Sequence, residues 1–209
     1  MKRIEFYFDF LSPYSYLAWT WVRQQNYEFS YIPVTLATII TAHETKGPAQ
    51  IEPKRNYLFK DILRFTKLNN IPFTTPKDLP FNSLYALRLA LLSSAGDKQK
   101  EIIDAIYRAG WEEGLDIGND DVLKTVLKDK NLYTDELIEK MESKTARIDL
   151  KANNEKALKL GLFGVPSFIV DDELFWGNDS TQYLEMYLNG TDPLDRIKYQ
   201  QFIEKFTPR

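Results

Sequence analysis

The chain has 209 residues, enough to bury a substantial core in one large domain or two modest ones. Its net charge of −3 comes from 27 Lys and Arg residues and 30 Asp and Glu residues, and without a basic footprint we expect no nucleic-acid partner. No apolar run reaches the roughly 18 residues of a membrane span, and the N-terminus leads into an alternating segment instead of a signal peptide, so we expect no membrane partner and a cytoplasmic location.

The first predicted elements are a strand, a tight turn and a helix. Every second residue from Ile4 to Phe8 is apolar, an alternation that is typical of a strand. Ser12 is a good N-cap because its hydroxyl can accept from the free N–H groups of the first turn, and Pro13 fits the first helical position. Helical spacing then continues to about Gln25. The pattern places a serine hydroxyl at a helix N-terminus, close behind the end of a strand.

The same turn has the spacing of a Cys-x-x-Cys redox turn, with oxygen at both sulfur positions in Ser12 and Ser15. Far downstream, Pro166 opens a predicted strand, the place where thioredoxin-like folds set a cis-proline against such a turn. The chain has no cysteine, so it cannot itself carry out thiol–disulfide exchange. Either Ser12 only caps a helix, or sulfur arrives on a ligand, for which glutathione is the abundant cytosolic candidate.

A second strand and a loop follow. Residues 28–33 alternate and end at a proline, which predicts a strand and completes a βαβ unit. Residues 36–42 form a short apolar segment with the character of a helical turn. The polar loop of residues 43–50 comes next, and ligands are usually bound by loops that follow the strands of such sheets.

The middle of the chain is predicted to be entirely helical, since no strand-like alternation interrupts it. We predict helices over residues 53–69, from Asn82 or Ser83 through Leu92, and over residues 98–111, 120–128, 134–143 and 145–160. We therefore expect a helical insertion domain, residues 51–161, within a thioredoxin-like domain made of residues 1–50 and 162–209.

The last part returns to α/β character. Residues 167–170 and 173–176 predict an antiparallel hairpin about a turn at Asp171-Asp172. Asn178 and Asp179 then open a helix that runs to about Leu188. The N–H groups of this helix start suit a carboxylate, although both residues could also serve only as caps.

Three runs resemble the family of 2-hydroxychromene-2-carboxylate isomerases and kappa-class glutathione transferases, in the DsbA-like branch of the thioredoxin fold. They are residues 6–18 (FYFDFLSPYSYLA), residues 82–88 (NSLYALR), and residues 164–166 through 175–179 (GVP to FWGND). The resemblance covers essentially the whole chain. It implies an α/β fold with a DsbA-like thioredoxin domain and an all-helical insertion, a small aromatic or chromene-type substrate, glutathione as cofactor, and a homodimer.

The resemblance also implies roles for particular residues. Ser12 matches the serine that activates the glutathione thiol, and Val165, before Pro166, matches the residue whose backbone pairs with the main chain of glutathione. Asn178 and Asp179 match the segment that binds the γ-glutamyl end. The family usually has arginine directly after that aspartate, whereas this chain has Ser180.

Substrate recognition is the less clearly implied part. The resemblance implies a Gly-Pro-Ser-Asn segment with basic neighbours in this loop of the isomerases. The present chain has Gly47-Pro48-Ala49-Gln50 at that place. Gln50 can replace the amide, but a matching basic residue is not evident. We take Gln50, His43 and Asn82 as candidate substrate-binding residues; for His43 a role as a solvated loop residue remains the alternative.

The effect of Ser12 on the pKa of a bound thiol can be estimated. A hydrogen bond to a charged group contributes roughly 1.5–3 kcal/mol and a helix N-terminus about 0.3–1 kcal/mol. Together they could lower the pKa of a bound thiol from about 8.5 by roughly one to three pKa units, without any general base.

Other reactions fit the residues less well. A serine hydrolase would need His43, the single histidine, as general base, and no Gly-x-Ser-x-Gly motif occurs. With one histidine and no cysteine we predict no metal site. The two remaining alternatives to an isomerase are a kappa-class-like glutathione transferase and a thioredoxin-fold binding module that has lost catalysis.

Overall fold

The structure is a computed structural model that describes residues 2–206. Its centre is a mixed four-stranded sheet in which β1 (Arg3–Phe8) lies between β2 (Glu28–Pro33) and β3 (Ser167–Val170), with β4 (Glu173–Trp176) beside β3. β1 is parallel to β2 and antiparallel to β3, and β3 and β4 form an antiparallel hairpin. The two ends of the chain therefore build one sheet, and the predicted thioredoxin-like strands are confirmed.

Helices cover the sheet and connect its two halves. They are α1 (Pro13–Val22), α2 (Leu36–Ala42), α3 (Glu52–Leu68), α4 (Leu84–Leu89), α5 (Leu92–Ala95), α6 (Gln99–Trp111), α7 (Asp120–Asp129), α8 (Asp135–Glu142), α9 (Lys144–Lys159), α10 (Thr181–Leu188) and α11 (Arg196–Phe206). The described residues between 51 and 161 contain no strand, as predicted. The first helix ends at Val22 instead of near Gln25, because the N–H groups of Gln24 and Gln25 turn back to carbonyls only three residues earlier.

One predicted helix is divided in two. The apolar spacing through Leu92 suggested a continuous helix, but Leu91 is extended, with φ −65° and ψ 141°, and separates α4 from α5. The side-chain amide of Gln99 donates to the carbonyls of Ala90, at 2.8 Å, and Tyr31, at 2.9 Å. These bonds satisfy the carbonyl of Ala90 from outside the helix, which explains why the backbone can leave helical geometry there.

The helical segment and the sheet share one hydrophobic core. Phe8 of β1 lies 5.9 Å from Tyr107 of α6, measured between ring centroids, and Trp19 of α1 lies 6.0 Å from the same tyrosine. All three side chains are fully buried. α1 is therefore fixed between the sheet and α6, while the boundaries of the two domains stay a prediction.

A smaller core covers the other face of the sheet. It joins α2, α9 and the segment before β3 through the buried side chains of Tyr7, Val34, Ile39, Ala157, Leu162, Val165 and Ile169. This cluster positions the loop that leads to Pro166.

The final helix, α11, was not predicted. Asp195 caps its start by accepting from the N–H of Lys198 at 2.9 Å, yet none of the helix residues is buried. Among residues 2–206, no helix combines the length and the apolar character needed to cross a bilayer.

Candidate active site

Ser12 is the N-cap of α1 and is only 5% exposed. Its Oγ accepts a hydrogen bond from the N–H of Ser15 at 3.2 Å, and its own N–H donates to the carbonyl of Asp9 at 3.0 Å. The predicted cap, with Pro13 at the next position, is confirmed. Because a hydroxyl has one proton as well as its lone pairs, Ser12 can still donate to a ligand.

The loop before β3 contains a cis peptide bond between Val165 and Pro166, where the sequence predicted a cis-proline. The carbonyl of Pro166 accepts from the N–H of Gly177 at 2.9 Å, and the Ser167 hydroxyl donates to the carbonyl of Gly164 at 2.8 Å. Within the described residues no hydrogen bond engages the N–H or carbonyl of Val165. The main chain of Val165 is thus available to pair with an extended peptide ligand.

Residues Asn178–Ser180 form a short 3-10 turn that packs against α1. Gly177, which precedes it, has φ +92°, and a Cβ there would lie 2.5 Å from Oδ1 of Asp179. Asn178 is 9% exposed, and its side-chain amide makes no hydrogen bond in the part of the chain that the structure describes. The amide atoms are not among the fully buried polar atoms that lack a partner, so solvent reaches them and a ligand can take its place.

These segments meet at one end of the sheet. Tyr7 pairs with Ser167, which places the cis-proline loop beside the strand that leads to Ser12. The bond from Gly177 to Pro166 then joins that loop to the Asn178–Ser180 turn. The structure therefore brings together the three segments that the sequence singled out for glutathione, although their role in binding stays a prediction.

The candidate substrate-binding residues are engaged in local contacts. The Nε2–H group of His43 donates to the carbonyl of Leu162 at 2.8 Å, because a carbonyl oxygen can only accept. Gln50 Oε1 accepts from the N–H of Gly47 at 3.0 Å, and Asn82 Oδ1 accepts from the N–H of Leu84 at 3.1 Å. None of these bonds reaches Ser12, and the contact with substrate stays a prediction for all three.

Asp9 is a site residue that the sequence analysis did not single out. It is 1% exposed, and its carboxylate accepts from the N–H of Leu11 at 3.0 Å and from the N–H of Leu36 at 2.8 Å. Burial raises the pKa of Asp9, although these two bonds and one from Ser83 oppose the change. Asp9 therefore connects the Ser12 turn to the start of α2. The sequence feature that could have indicated its role is a single acidic residue directly after an apolar strand.

The buried side of the turn carries two hydroxyl groups near Asp9. The hydroxyls of Ser15 and Tyr107 approach each other, yet neither makes a hydrogen bond of normal geometry with another described residue. Close by, the indole N–H of Trp111 donates to the carbonyl of Phe10 at 2.9 Å. This hydrogen bond holds the segment before Ser12 against α6 on its buried side.

The exposed side of the turn faces α3 through Tyr14. Its hydroxyl donates to Oδ2 of Asp61 at 2.9 Å. Burial is the main reason why the pKa of Tyr14 is raised, and Asp61, Tyr57 and Asp179 raise it further. The phenol is therefore protonated and lies among acidic groups. Asp61, 47 positions further along the chain, was not predicted as a site residue.

No three His, Cys, Asp or Glu side chains of residues 2–206 are grouped in a way that could hold a metal ion.

Comparison with known proteins gives consistent results. Residues 3–189 match the family profile of the DSBA-like thioredoxin domain. A 2-hydroxychromene-2-carboxylate isomerase of Sphingobium xenophagum is 30% identical over 193 residues, which cover 90% of this chain and 98% of that protein. Glutathione S-transferase kappa 2 of Caenorhabditis elegans is 26% identical over 184 residues, 82% of each chain. A solved 2-hydroxychromene-2-carboxylate isomerase structure shares the fold, with a TM-score of 0.81 at 24% identity over 99% of this chain and 100% of that one.

Proposed function

The chain belongs to the DSBA-like thioredoxin family, in the branch of the 2-hydroxychromene-2-carboxylate isomerases and kappa-class glutathione transferases, and on that basis we propose that it is a glutathione-dependent isomerase. The observation that carries this proposal is the position of Ser12. Ser12 is the N-cap of α1 and its buried hydroxyl lies at the end of the sheet where the cis-proline loop begins β3. The chain has no thiol of its own.

The residues present fit glutathione. The free main chain of Val165 can pair with the cysteinyl part of the tripeptide, and the side-chain amide of Asn178, which forms no hydrogen bond with another described residue, can pair with the ligand. Bound glutathione would supply a nucleophilic thiolate for an aromatic or chromene-type substrate, and the residues of this chain would bind the tripeptide and orient its sulfur.

In this proposal Ser12 stabilises the bound thiol in its charged form. The hydroxyl donates to sulfur while its oxygen keeps the bond from the N–H of Ser15, so the serine remains oriented by the helix. The first turn of α1 adds the positive end of its dipole. Ser12 acts as a hydrogen-bond donor and the reaction needs no histidine.

The Ser12→Ala variant tests this role. Because it removes the donor but leaves the other glutathione-binding segments in place, we expect glutathione still to bind, at most about tenfold more weakly at pH 7, while the pKa of its thiol rises by roughly one to two pKa units. Calorimetry measures the binding, and ultraviolet absorbance of the thiolate measures the titration.

Ser15→Ala is the matched control, because it removes a buried hydroxyl of the same turn that faces Tyr107. It should leave the thiol titration unchanged. An unchanged titration in Ser12→Ala would refute the role of Ser12. A lack of glutathione binding at millimolar concentration would favour the non-catalytic binding module.

A kappa-class-like transferase is the second candidate. It is favoured by the kappa-class relatives, whereas Ser180, which stands where the family as a whole usually has arginine, does not separate the two reactions. Turnover of a hydroxychromene carboxylate, compared with conjugation of a chloronitrobenzene, separates the two reactions. Faster conjugation would favour the transferase.

We propose further that the protein acts as a homodimer in the cytoplasm. The dimer is proposed from the family resemblance, and the location from the use of cytosolic glutathione. Sedimentation of the purified chain tests the first statement.

A further inference from the structure

A cavity of about 670 Å³ lies at the end of α1 that is remote from Ser12. It is formed by the last turn of α1 with Arg23 and Gln24, by one face of α6, and by the segment that follows α7. Because α1 is 10 residues long, it separates this cavity from Ser12 by roughly 15 Å. The cavity is therefore distinct from the proposed glutathione site, and its volume is within the range of small-molecule sites.

The lining of the cavity is more positively charged than the molecule as a whole. It contains the basic side chains of Arg23, Lys100, Arg108 and Lys130 and the acidic side chains of Glu101 and Asp104. Glu101 pairs with Lys98, and the two arginines share Asp104 and Glu112. Lys100 and Lys130 have no acidic partner among residues 2–206. Two positive charges are thus left unpaired here, in a chain whose net charge is −3.

The two arginines also retain unused hydrogen-bond donors. Both bonds of Arg23 to carboxylates leave from Nη1, at 3.2 Å to Asp104 and at 3.2 Å to Glu112. Arg108 uses Nε and Nη1 for the same two acids, at 2.7 Å and 3.4 Å. Nε and Nη2 of Arg23 and Nη2 of Arg108 donate to no residue in the described part of the chain. None of them is a fully buried atom without a partner, so they remain accessible from the cavity.

The guanidinium groups are held in place by the protein itself. The side chain of Arg23 is 18% exposed and that of Glu112 is 12% exposed. The indole N–H of the buried Trp19 donates to Oδ1 of Asp104 at 2.9 Å, which fixes the carboxylate that both arginines share. Donors that are already ordered lose little conformational entropy when a ligand binds. Leu132 adds an apolar part to the lining.

We propose that this cavity is a second ligand site, which binds a small dianionic metabolite, either a phosphomonoester or a dicarboxylate. Two unpaired lysines match the two negative charges, and the free N–H groups of Arg23 and Arg108 suit the oxygen atoms of phosphate or carboxylate groups. The carbon body of the ligand would lie against Leu132.

Calorimetry with two dianions and their uncharged counterparts tests the proposal. The probes are phenyl phosphate and glutarate, compared with phenol and glutaramide at pH 7.5 and constant ionic strength. We expect at least one dianion to bind about tenfold or more tightly than its uncharged counterpart, because charge-assisted hydrogen bonds are lost with the charge. The tighter of the two dianions identifies the phosphate or the carboxylate as the natural group. Equal affinities of both dianions and their counterparts would overturn the proposal.

Lys100→Gln and Lys130→Gln each remove one unpaired charge without breaking an ion pair of the fold. Each should weaken binding of the preferred dianion by about 2- to 10-fold. Lys77→Gln, at an exposed lysine in the loop between α3 and α4, is the matched control and should leave the affinity unchanged. An equal effect of all three variants would mean that the anion responds only to net charge, which would overturn the assignment to this cavity.

The indole N–H signals of ¹⁵N-labelled tryptophan report where the ligand binds. Trp19 lines the cavity, whereas the indole N–H of Trp111 donates to the carbonyl of Phe10 near the Ser12 turn. We expect the preferred dianion to shift the Trp19 signal and to leave the Trp111 signal in place. Its affinity should also be unchanged when glutathione is present in excess. A shift of Trp111 alone, or displacement of the dianion by glutathione, would contradict a separate site.

Discussion

At the scale of single residues, the site depends on Asp9, whose carboxylate joins two segments that are distant in sequence. It accepts from the N–H of Leu11 in the Ser12 turn and from the N–H of Leu36 at the start of α2. Two backbone donors can hold a buried carboxylate in place because each satisfies part of its lost hydration. The position of Ser12 therefore depends on a group that does not itself face the ligand.

Asp104 is the residue whose charge matters most clearly for stability. Burial alone would raise the pKa of Asp104, but bonds from Trp19, Arg108 and Arg23 outweigh it, and the pKa is lowered. A lowered pKa in the folded state means that Asp104 stabilises the protein above pH 4 or so, and that this contribution is lost as the pH falls through the folded-state value.

We expect Asp104→Asn to lower the free energy of unfolding by about 1–3 kcal/mol at pH 7, because three donors lose a charged acceptor. The difference from wild type should shrink as the pH is lowered from about 5 towards 3. Urea unfolding followed by circular dichroism measures both effects. Asp121→Asn, at a side chain that is 90% exposed, is the control and should cost less than about 0.5 kcal/mol. A difference that grew at low pH would contradict the assignment.

At the scale of elements, Gly177 determines how the Asn178–Ser180 turn leaves β4. Its φ of +92° is unfavourable for other residues, and a Cβ would meet Oδ1 of Asp179 at 2.5 Å. Gly177→Ala should therefore both destabilise the fold, by about 1–2 kcal/mol, and displace Asp179, which lowers glutathione affinity by about tenfold or more. Calorimetry and urea unfolding separate the two effects.

Gly190 offers a matched control for this variant. It also has a positive φ, +72°, but a Cβ there would meet nothing within 4 Å. Gly190→Ala should show a similar loss of stability with unchanged glutathione affinity. Equal affinities in the two variants would mean that the placement of Asp179 does not matter for binding.

Most elements could be predicted because their signals are local. Ser12-Pro13 marks the start of α1, the Asp171-Asp172 pair marks a turn in which both residues have positive φ, and Gly190 follows the end of α10. The break at Leu91 could not be predicted in this way. It depends on Gln99, whose side chain reaches the carbonyl of Ala90 only in the folded structure.

The same reason limits prediction of the site. The sequence suggested Ser12, Val165 and Asn178 from motifs that lie within short runs. Asp61 approaches Tyr14 only because α3 packs against α1, and nothing near either residue in the sequence indicates that contact.

At the scale of the whole molecule, the chain divides into a shared core and an exposed C-terminal helix. α11 buries none of its residues, and the exposed ion pair from Arg196 to Glu173 contributes little. Since Thr191 completes the end of α10 by donating to the carbonyl of Met186, we retain it and remove residues 192–209.

We expect this truncation to change the free energy of unfolding by less than about 1 kcal/mol, because little apolar surface leaves the core. Urea unfolding at low protein concentration measures the change, and glutathione binding should be unaltered. A loss of more than about 3 kcal/mol would show that α11 supports the fold through contacts beyond its exposed face.

The tryptophans are distributed in a way that has a practical consequence. Trp19 and Trp111 are fully buried in the shared core, whereas Trp176 is 53% exposed and lies against Gly164, directly before the cis-proline loop. We expect the emission of the buried pair to report whether the chain is folded, and the emission of Trp176, the most exposed of the four tryptophans, to respond to a ligand bound beside that loop. Intrinsic fluorescence of Trp176 can therefore be used to follow ligand binding beside the cis-proline loop without any label.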